Sequence, residues 1–308
     1  MKSSKGFFTG LAIFIAFISV GFSIKSGFAK QAAQIQSASA AVEQSAQNEG
    51  LVRLSAPAKA APGASSASSA SAAFASAALR NSELKSSLTW VFGGKSQRGW
   101  QIYAPLISSL IGADADATTS DFAAQLSRWQ KERGLEPNGI LNNYVWSGMI
   151  SAWQSERIKD RTYPTADQLA TIPPSDCYDP QRPEELRKVE RETYNAYKRM
   201  VAAARAELGL SESDQFFKII SAFRSREYQD NLRKQSPNSG RAGLAVNSPH
   251  FTGRALDIYV GGEPVSTKDE NRAIQTQTIA YKWLAKNAAR FGFRPYFYEP
   301  WHWEYVGR

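Results

Sequence analysis

The sequence contains one cysteine and two histidines among its 308 residues. Because Cys177 has no second cysteine to pair with, the fold does not depend on an internal disulfide. We interpret Cys177 as a thiol without a specific function. The mean hydropathy of −0.40 excludes a protein with many membrane spans.

Positive charge, by contrast, is in excess, with a formal net charge of +9. Such a chain favours a polyanionic neighbour: nucleic acid, an anionic membrane surface or an acidic wall polymer. The N-terminal sequence helps to decide among these three kinds of neighbour. Lys2 and Lys5 precede an apolar run over residues 6–24, which is followed by Lys25 and by a Gly-Phe-Ala ending at Ala29. This pattern is typical of a secretory signal.

The apolar run is also almost long enough to cross a bilayer of about 30 Å, so residues 1–30 are either a signal peptide or a retained anchor. In both cases we expect an exported protein, in the periplasm or cell envelope. Its membrane contact would be confined to the N-terminal segment, and nucleic acid would not be a partner.

Composition divides the remaining chain into four parts. Residues 31–80 are dominated by Ala and Ser and predict a disordered linker, with order beginning near Leu84. Residues 84–156 predict a small all-α domain, because apolar residues recur there at helical spacing. Residues 157–183 are rich in proline and predict a linker or a wrapping arm. Residues 184–308 mix helices and strands without a regular βαβ repeat, which indicates an α+β domain.

Within this last domain the pattern predicts three helices and several strands. The expected helices cover residues 184–208, 225–234 and 271–291, and the expected strands cover residues 215–222, 255–260 and 296–306.

Both histidines lie beside carboxylates. Asp257 follows His250 by seven residues, with Gly253 between them to let the backbone turn, and Glu299 precedes His302 by three. Two imidazoles and one carboxylate form a three-ligand zinc set whose fourth position is open. Bound zinc lowers the pKa of a water molecule to about 7, and Glu299 suits the role of its proton acceptor. The plain alternatives are that Asp257 caps a turn and that Glu299 is a surface charge.

These residues belong to a longer pattern that resembles the LAS metallopeptidases (lysostaphin, D-alanyl-D-alanine metallopeptidase, sonic hedgehog). Within that group the pattern is most similar to the VanY-type D-alanyl-D-alanine carboxypeptidases of peptidase family M15. The resemblance covers residues 184–307 and depends on three motifs: Ser221-Ala-Phe-Arg224-Ser225-Arg-Glu-Tyr228-Gln229, Ser248-x-His250-x-x-Gly253-x-Ala255-x-Asp257 and Glu299-x-Trp301-His302.

The resemblance implies an antiparallel sheet of the LAS/hedgehog type with flanking helices. It also implies one Zn²⁺ per chain, with the zinc ligands and the general base just described, and it gives three more residues a role. Arg224 would contact the substrate and stabilise the oxyanion. Ser248 and Gln229 would line the substrate pocket, the alternative being that they only hydrogen-bond within their own loops. Glu304 shares a strand face with His302; we expect it to be an ordinary surface charge, the alternative being that it supports the histidine ligand from behind.

Residues 122–140 are similar to the helical peptidoglycan-binding domain, through Phe122, Leu126, Trp129-Gln130, Gly134-Leu135 and Asn138-Gly139-Ile140. Both resemblances imply peptidoglycan as the partner. The function implied is a zinc-dependent D-alanyl-D-alanine carboxypeptidase. A zinc endopeptidase, cutting a D,D or an L-alanyl-D-glutamate bond, is the first alternative, and residues 237–246 would decide between the two. A non-catalytic wall-binding scaffold is the second, and it predicts a degraded active site.

Overall fold

The computed structural model describes residues 64–113, 116–235 and 247–307. The predicted signal or anchor, most of the predicted linker and the predicted specificity loop at residues 237–246 lie outside the described residues. The described residues from Ala70 onward belong to one compact unit. None of the helices in this described part is both long enough and apolar enough to cross a membrane.

The N-terminal segment combines four helices with a β-hairpin. Its elements are α1 (Ala64–Ser87), β1 (Thr89–Phe92), β2 (Lys95–Arg98), a 3₁₀ turn (Gln101–Tyr103), α2 (Ala104–Ile111), α3 (Ser120–Glu132) and α4 (Asn143–Ser155). The hairpin corrects the expectation of an all-α segment. Helix α1 also begins well before Leu84, because alanine has the highest helix propensity and a run of it favours helix over coil.

The C-terminal segment contains a four-stranded antiparallel sheet. Its elements are β3 (Leu169–Thr171), β4 (Lys188–Glu190), α5 (Arg191–Leu208), β5 (Ile219–Ser221), α6 (Arg226–Gln235), β6 (Ala255–Ile258), α7 (Asp269–Gln277), α8 (Ile279–Asn287), β7 (Phe293–Pro295) and β8 (His302–Tyr305). The strand order is β5-β6-β8-β7, and β3 pairs separately with β4. Helices interspersed with small antiparallel sheets confirm the α+β class.

Two predicted helices differ from the observed ones. The helix expected over residues 184–208 begins at Arg191, because Glu190 is extended and its carboxylate accepts hydrogen bonds from the backbone of the first turn. The helix expected over residues 271–291 is interrupted at Thr278. This residue has extended backbone angles, and its side chain caps α8 by accepting a bond from the Tyr281 N–H. In both places a side-chain cap outweighs the apolar periodicity.

Phe297 joins the two segments through an aromatic cluster. Its ring lies 4.8 Å from that of Phe92 and 5.6 Å from that of Tyr103, measured between centroids. The Trp153 ring stacks on it at 5.9 Å, and Trp90 completes the cluster at 6.4 Å. Aromatic pairs at such separations are stabilising beyond the area they bury. The N-terminal segment therefore packs directly against the chain that leads to Glu299 and His302.

Gly253 brings the segment before β6 close to β4. It has a φ of +67° and its carbonyl accepts a hydrogen bond from the Glu190 N–H at 3.0 Å. A Cβ built on Gly253 would lie 2.8 Å from that same nitrogen atom. The position therefore requires glycine both for its backbone angle and for the close approach.

We predict that Gly253→Ala lowers the free energy of unfolding by about 2–4 kcal/mol, since left-handed backbone strain and the backbone clash add together. Gly209→Ala is the matched control, because Gly209 has a φ of +65° and a Cβ added there would have no other atom within 4 Å. That control should lose only the part of the free energy of unfolding that comes from left-handed backbone strain. Urea unfolding measures both, and equal losses would contradict the role assigned to the contact with Glu190.

Candidate metal centre

Strand register brings Asp257 and His302 together. Asp257 on β6 is the direct cross-strand partner of His302 on β8, and on its other side it pairs with Ser221 on β5. Directly opposed residues of an antiparallel pair project to the same face of the sheet. His250 joins them from the 3₁₀ turn Pro249–Thr252, which precedes β6.

The three side chains converge on a small buried volume. His250 and Asp257 are fully buried, and His302 is 1% exposed. Asp257 Oδ1 lies 3.3 Å from His250 Nε2 and 3.0 Å from His302 Nδ1. One ligand atom from each residue lies within 4.8 Å of the others, so the group could hold a metal ion.

In each imidazole, the nitrogen atom that does not face Asp257 contacts a hydrogen-bond acceptor. His250 Nδ1 lies 2.6 Å from the Ala222 carbonyl oxygen, and His302 Nε2 lies 3.2 Å from Glu304 Oε1. Carbonyl and carboxylate oxygens only accept hydrogen bonds, so these two nitrogen atoms are the donors. The acceptors therefore fix both rings with His250 Nε2 and His302 Nδ1 directed at Asp257.

Arg224 lies behind Asp257. Its Nη2 donates to Asp257 Oδ2 at 2.7 Å, its Nε donates to Ser221 Oγ at 3.0 Å, and it is 1% exposed. Arg224 thus holds Asp257 Oδ2, the carboxylate oxygen that does not contact the two histidines, and Asp257 is a candidate metal ligand. The contact with substrate expected for Arg224 stays a prediction.

The two histidines differ in basicity. Burial lowers the pKa of His250 to about 4, and the positive charge of Arg224 acts in the same direction. Burial also acts to lower the pKa of His302, but hydrogen bonds to Asp257 and Glu304 outweigh it and raise that pKa to about 9. At neutral pH the metal-free centre therefore holds its proton on His302 and leaves His250 neutral.

Glu299 is a buried carboxyl group of a different kind. It is 1% exposed, and in the part of the chain that the structure describes neither of its carboxylate oxygens has a hydrogen-bond partner. Burial raises its pKa to about 8; the charge of His302 opposes this shift and that of Asp257 adds to it. Such a group can exchange a proton near neutral pH.

Ser248 and Gln229 are each 1% exposed. Ser248 Oγ accepts a bond from the His250 N–H at 3.3 Å, which is the local hydrogen bonding considered as the alternative to a substrate contact. Gln229 lies on α6, whose backbone at that point is bonded to Ser225. Pocket-lining roles for both residues stay predictions.

Two residues near the centre were missed or misjudged from the sequence. Glu304 is fully buried and contacts His302, so the expectation of a surface charge was wrong. Its place two residues after His302 on one strand was the available indication. Arg157, which donates to the Glu304 carboxylate at 2.9 Å, is 147 positions away, and no sequence spacing points to it.

The centre combines two buried imidazoles and one buried carboxylate with Glu299, a carboxyl group close by in the chain that accepts no hydrogen bond from the described residues. This arrangement is suited to metal-assisted hydrolysis. Residues 186–308 match the family model VanY, D-alanyl-D-alanine carboxypeptidase. This C-terminal segment is therefore similar to the VanY-type peptidases, and it contains His250, Asp257, Glu299 and His302.

A solved structure of the LdcB LD-carboxypeptidase, described as revealing the molecular basis of peptidoglycan recognition, is also similar. It is 26% identical, the match covers 48% of this chain and 72% of that one, and the TM-score is 0.34. No curated protein matches the chain.

We predict that Glu299→Gln stabilises the metal-free protein by an amount that grows as pH rises from 5 to 8. In the wild type, folding keeps Glu299 protonated up to a pKa of about 8, whereas the unfolded chain loses that proton near the ordinary glutamate pKa of 4.5. Wild-type stability therefore falls with rising pH by up to about 1.4 kcal/mol per pH unit in this window, and glutamine removes the effect.

Urea unfolding in the presence of chelator, repeated at several pH values, measures the gap between variant and wild type. Glu263→Gln is the control, because the Glu263 side chain is 58% exposed. A gap that stays constant with pH for Glu299→Gln would contradict the buried neutral carboxyl group.

Proposed function

We propose that the chain is a zinc-dependent peptidase that hydrolyses peptidoglycan stem peptides by removing their terminal D-alanine. The observation that supports this most is the buried convergence of His250, Asp257 and His302, within a segment that matches the VanY family. The absence of any degraded position among these ligands and Glu299 disfavours a non-catalytic scaffold.

The donor set fits zinc. In a tetrahedral site with zinc–nitrogen and zinc–oxygen bonds of about 2.0–2.1 Å, neighbouring ligand atoms are about 3.3–3.4 Å apart. The separations of 3.3 Å and 3.0 Å from Asp257 Oδ1 to the imidazoles of His250 and His302 are close to this value. His250 Nε2, Asp257 Oδ1 and His302 Nδ1 would hold the ion. When bound, zinc supplies Lewis-acid chemistry, lowering the pKa of a coordinated water and polarising a carbonyl group.

Glu299 would move the proton. Its carboxylate, without a hydrogen-bond partner among the described residues, is available to accept a proton from the attacking water and to pass it to the leaving amine. Its raised pKa in the metal-free protein reflects a site that excludes solvent. A positive ion at the neighbouring ligands would favour the charged form of Glu299, which is the form that a base needs.

Arg224 and Asp257 would act as a pair. The buried arginine neutralises the outer oxygen of the aspartate and fixes the carboxylate plane, so that Oδ1 stays directed at the two imidazoles. We also propose that the arginine's positive charge stabilises the oxyanion as it develops, which a preorganised cation does at no cost of reorientation.

The bond that is cut determines the products of muropeptide digestion. We expect the purified protein to release one alanine from pentapeptide muropeptides, which mass spectrometry detects as loss of a single residue. Conversion of cross-linked dimers to monomers would instead establish a D,D-endopeptidase, and separation at L-alanyl-D-glutamate would establish the other endopeptidase.

We predict that Glu299→Gln lowers kcat by about 10²–10⁴-fold, since it removes general-base catalysis. The variant should still bind zinc, because Glu299 is not among the ligands, and metal content measured by emission spectroscopy checks this. Glu263→Gln serves as control and should keep wild-type activity. Unchanged hydrolysis by a zinc-loaded Glu299→Gln protein would refute the mechanism.

A further inference from the structure

Arg157 connects the N-terminal segment to the candidate metal centre. It follows the end of α4 and precedes the family-matched segment, residues 186–308. Its Nε and Nη2 both donate to Glu304 Oε1, at 2.9 Å and 2.5 Å. Its Nη1 donates to Gln154 Oε1 at 3.0 Å, which ties the guanidinium group to α4.

Both carboxylate oxygens of Glu304 accept hydrogen bonds from this part of the chain. Its second oxygen, Oε2, accepts a bond from the Ile158 N–H at 2.8 Å. Its first oxygen is shared between Arg157 and His302 Nε2, the latter at 3.2 Å. Two successive residues from outside the matched segment therefore hold both oxygens of the carboxylate that orients His302.

The packing around Arg157 limits the freedom of this contact. The side chain of Arg157 is 16% exposed and that of Glu304 is fully buried. The guanidinium carbon lies 4.0 Å above the centre of the Tyr296 ring, and that ring meets the His302 imidazole edge-on at 6.0 Å. Arg157 is thus linked to His302 through two side chains, Glu304 and Tyr296.

We propose that Arg157 is a positioning residue for the third metal ligand: by holding Glu304 it keeps the His302 ring turned so that Nδ1 faces the metal. A buried carboxylate deprived of its cation is strongly disfavoured, so removal of Arg157 leaves Glu304 free to turn away from the ring and towards solvent. His302 Nε2 then loses its fixed acceptor. This inference rests on the proposed function, because it requires a metal ion at His302.

The test compares zinc affinity in three variants by competition with a chromophoric chelator. Arg157→Ala should weaken zinc binding by about 10–100-fold, the usual effect of losing a group that orients a ligand. Arg157→Lys should restore part of the affinity, since it keeps the charge but not the two-pronged contact. Arg294→Gln is the matched control: Arg294 joins the same two segments, pairing with Glu156 at 2.8 Å, and should leave the affinity unchanged.

A second measurement separates positioning from general destabilisation. In the Co²⁺-substituted protein, the visible absorption bands report ligand geometry and are insensitive to overall stability. Arg157→Ala should shift these bands and Arg157→Lys should shift them less. Wild-type zinc affinity and wild-type bands in folded Arg157→Ala would overturn the proposal. If Arg157→Ala does not fold, Arg157→Lys decides: values indistinguishable from those of Arg294→Gln would overturn it, and a partial loss would support it.

These readouts do not depend on cleavage. If the wild type binds zinc but releases no alanine from muropeptides, the proposed function fails while the role of Arg157 stands. If the wild type does not bind zinc, both fail.

Discussion

The register between β6 and β8 is the constraint on which the candidate centre depends. It places Asp257 opposite His302, and a slip of one residue would send the two side chains to opposite faces of the sheet. With the register fixed, Asp257 contacts both histidines through one oxygen and Arg224 through the other. The approach of His250 then follows from the turn that ends at Gly253, which only a glycine can complete against Glu190.

Three buried carboxyl groups near this register have different environments and, as a result, different chemistry. Asp257 and Glu304 each contact an arginine and an imidazole, and despite burial, which opposes it, these partners lower the pKa of both carboxyl groups. Glu299 has no such partner among the described residues, and burial raises its pKa to about 8. The same functional group can thus serve as ligand, as support for a ligand and as a group that exchanges protons.

Sequence reasoning reached those features of the site that depend on local spacing. The residues His250, Asp257, Glu299 and His302 could be selected because the chain has two histidines and each lies beside a carboxylate. The resemblance implied that they converge, but spacing alone could not place Asp257 opposite His302, since that depends on strand pairing. Glu304 was visible as a neighbour on the strand, but its burial depends on Arg157, from a segment far away in the sequence. Likewise, the interruption at Thr278 comes from one hydroxyl group that competes successfully with a long apolar pattern.

The aromatic cluster around Phe297 has a consequence for the evolution of the two segments that it joins. A recombination event that moved only residues 186–308 into another gene would transfer every candidate ligand but would leave Phe297 without Phe92, Tyr103 and Trp153. Exposing a side chain of this size to water costs about 1.5–3 kcal/mol, a large share of the stability of an ordinary domain. Selection would therefore act on the two segments as one heritable unit, and a lineage that changed one side of the cluster would be expected to change the other.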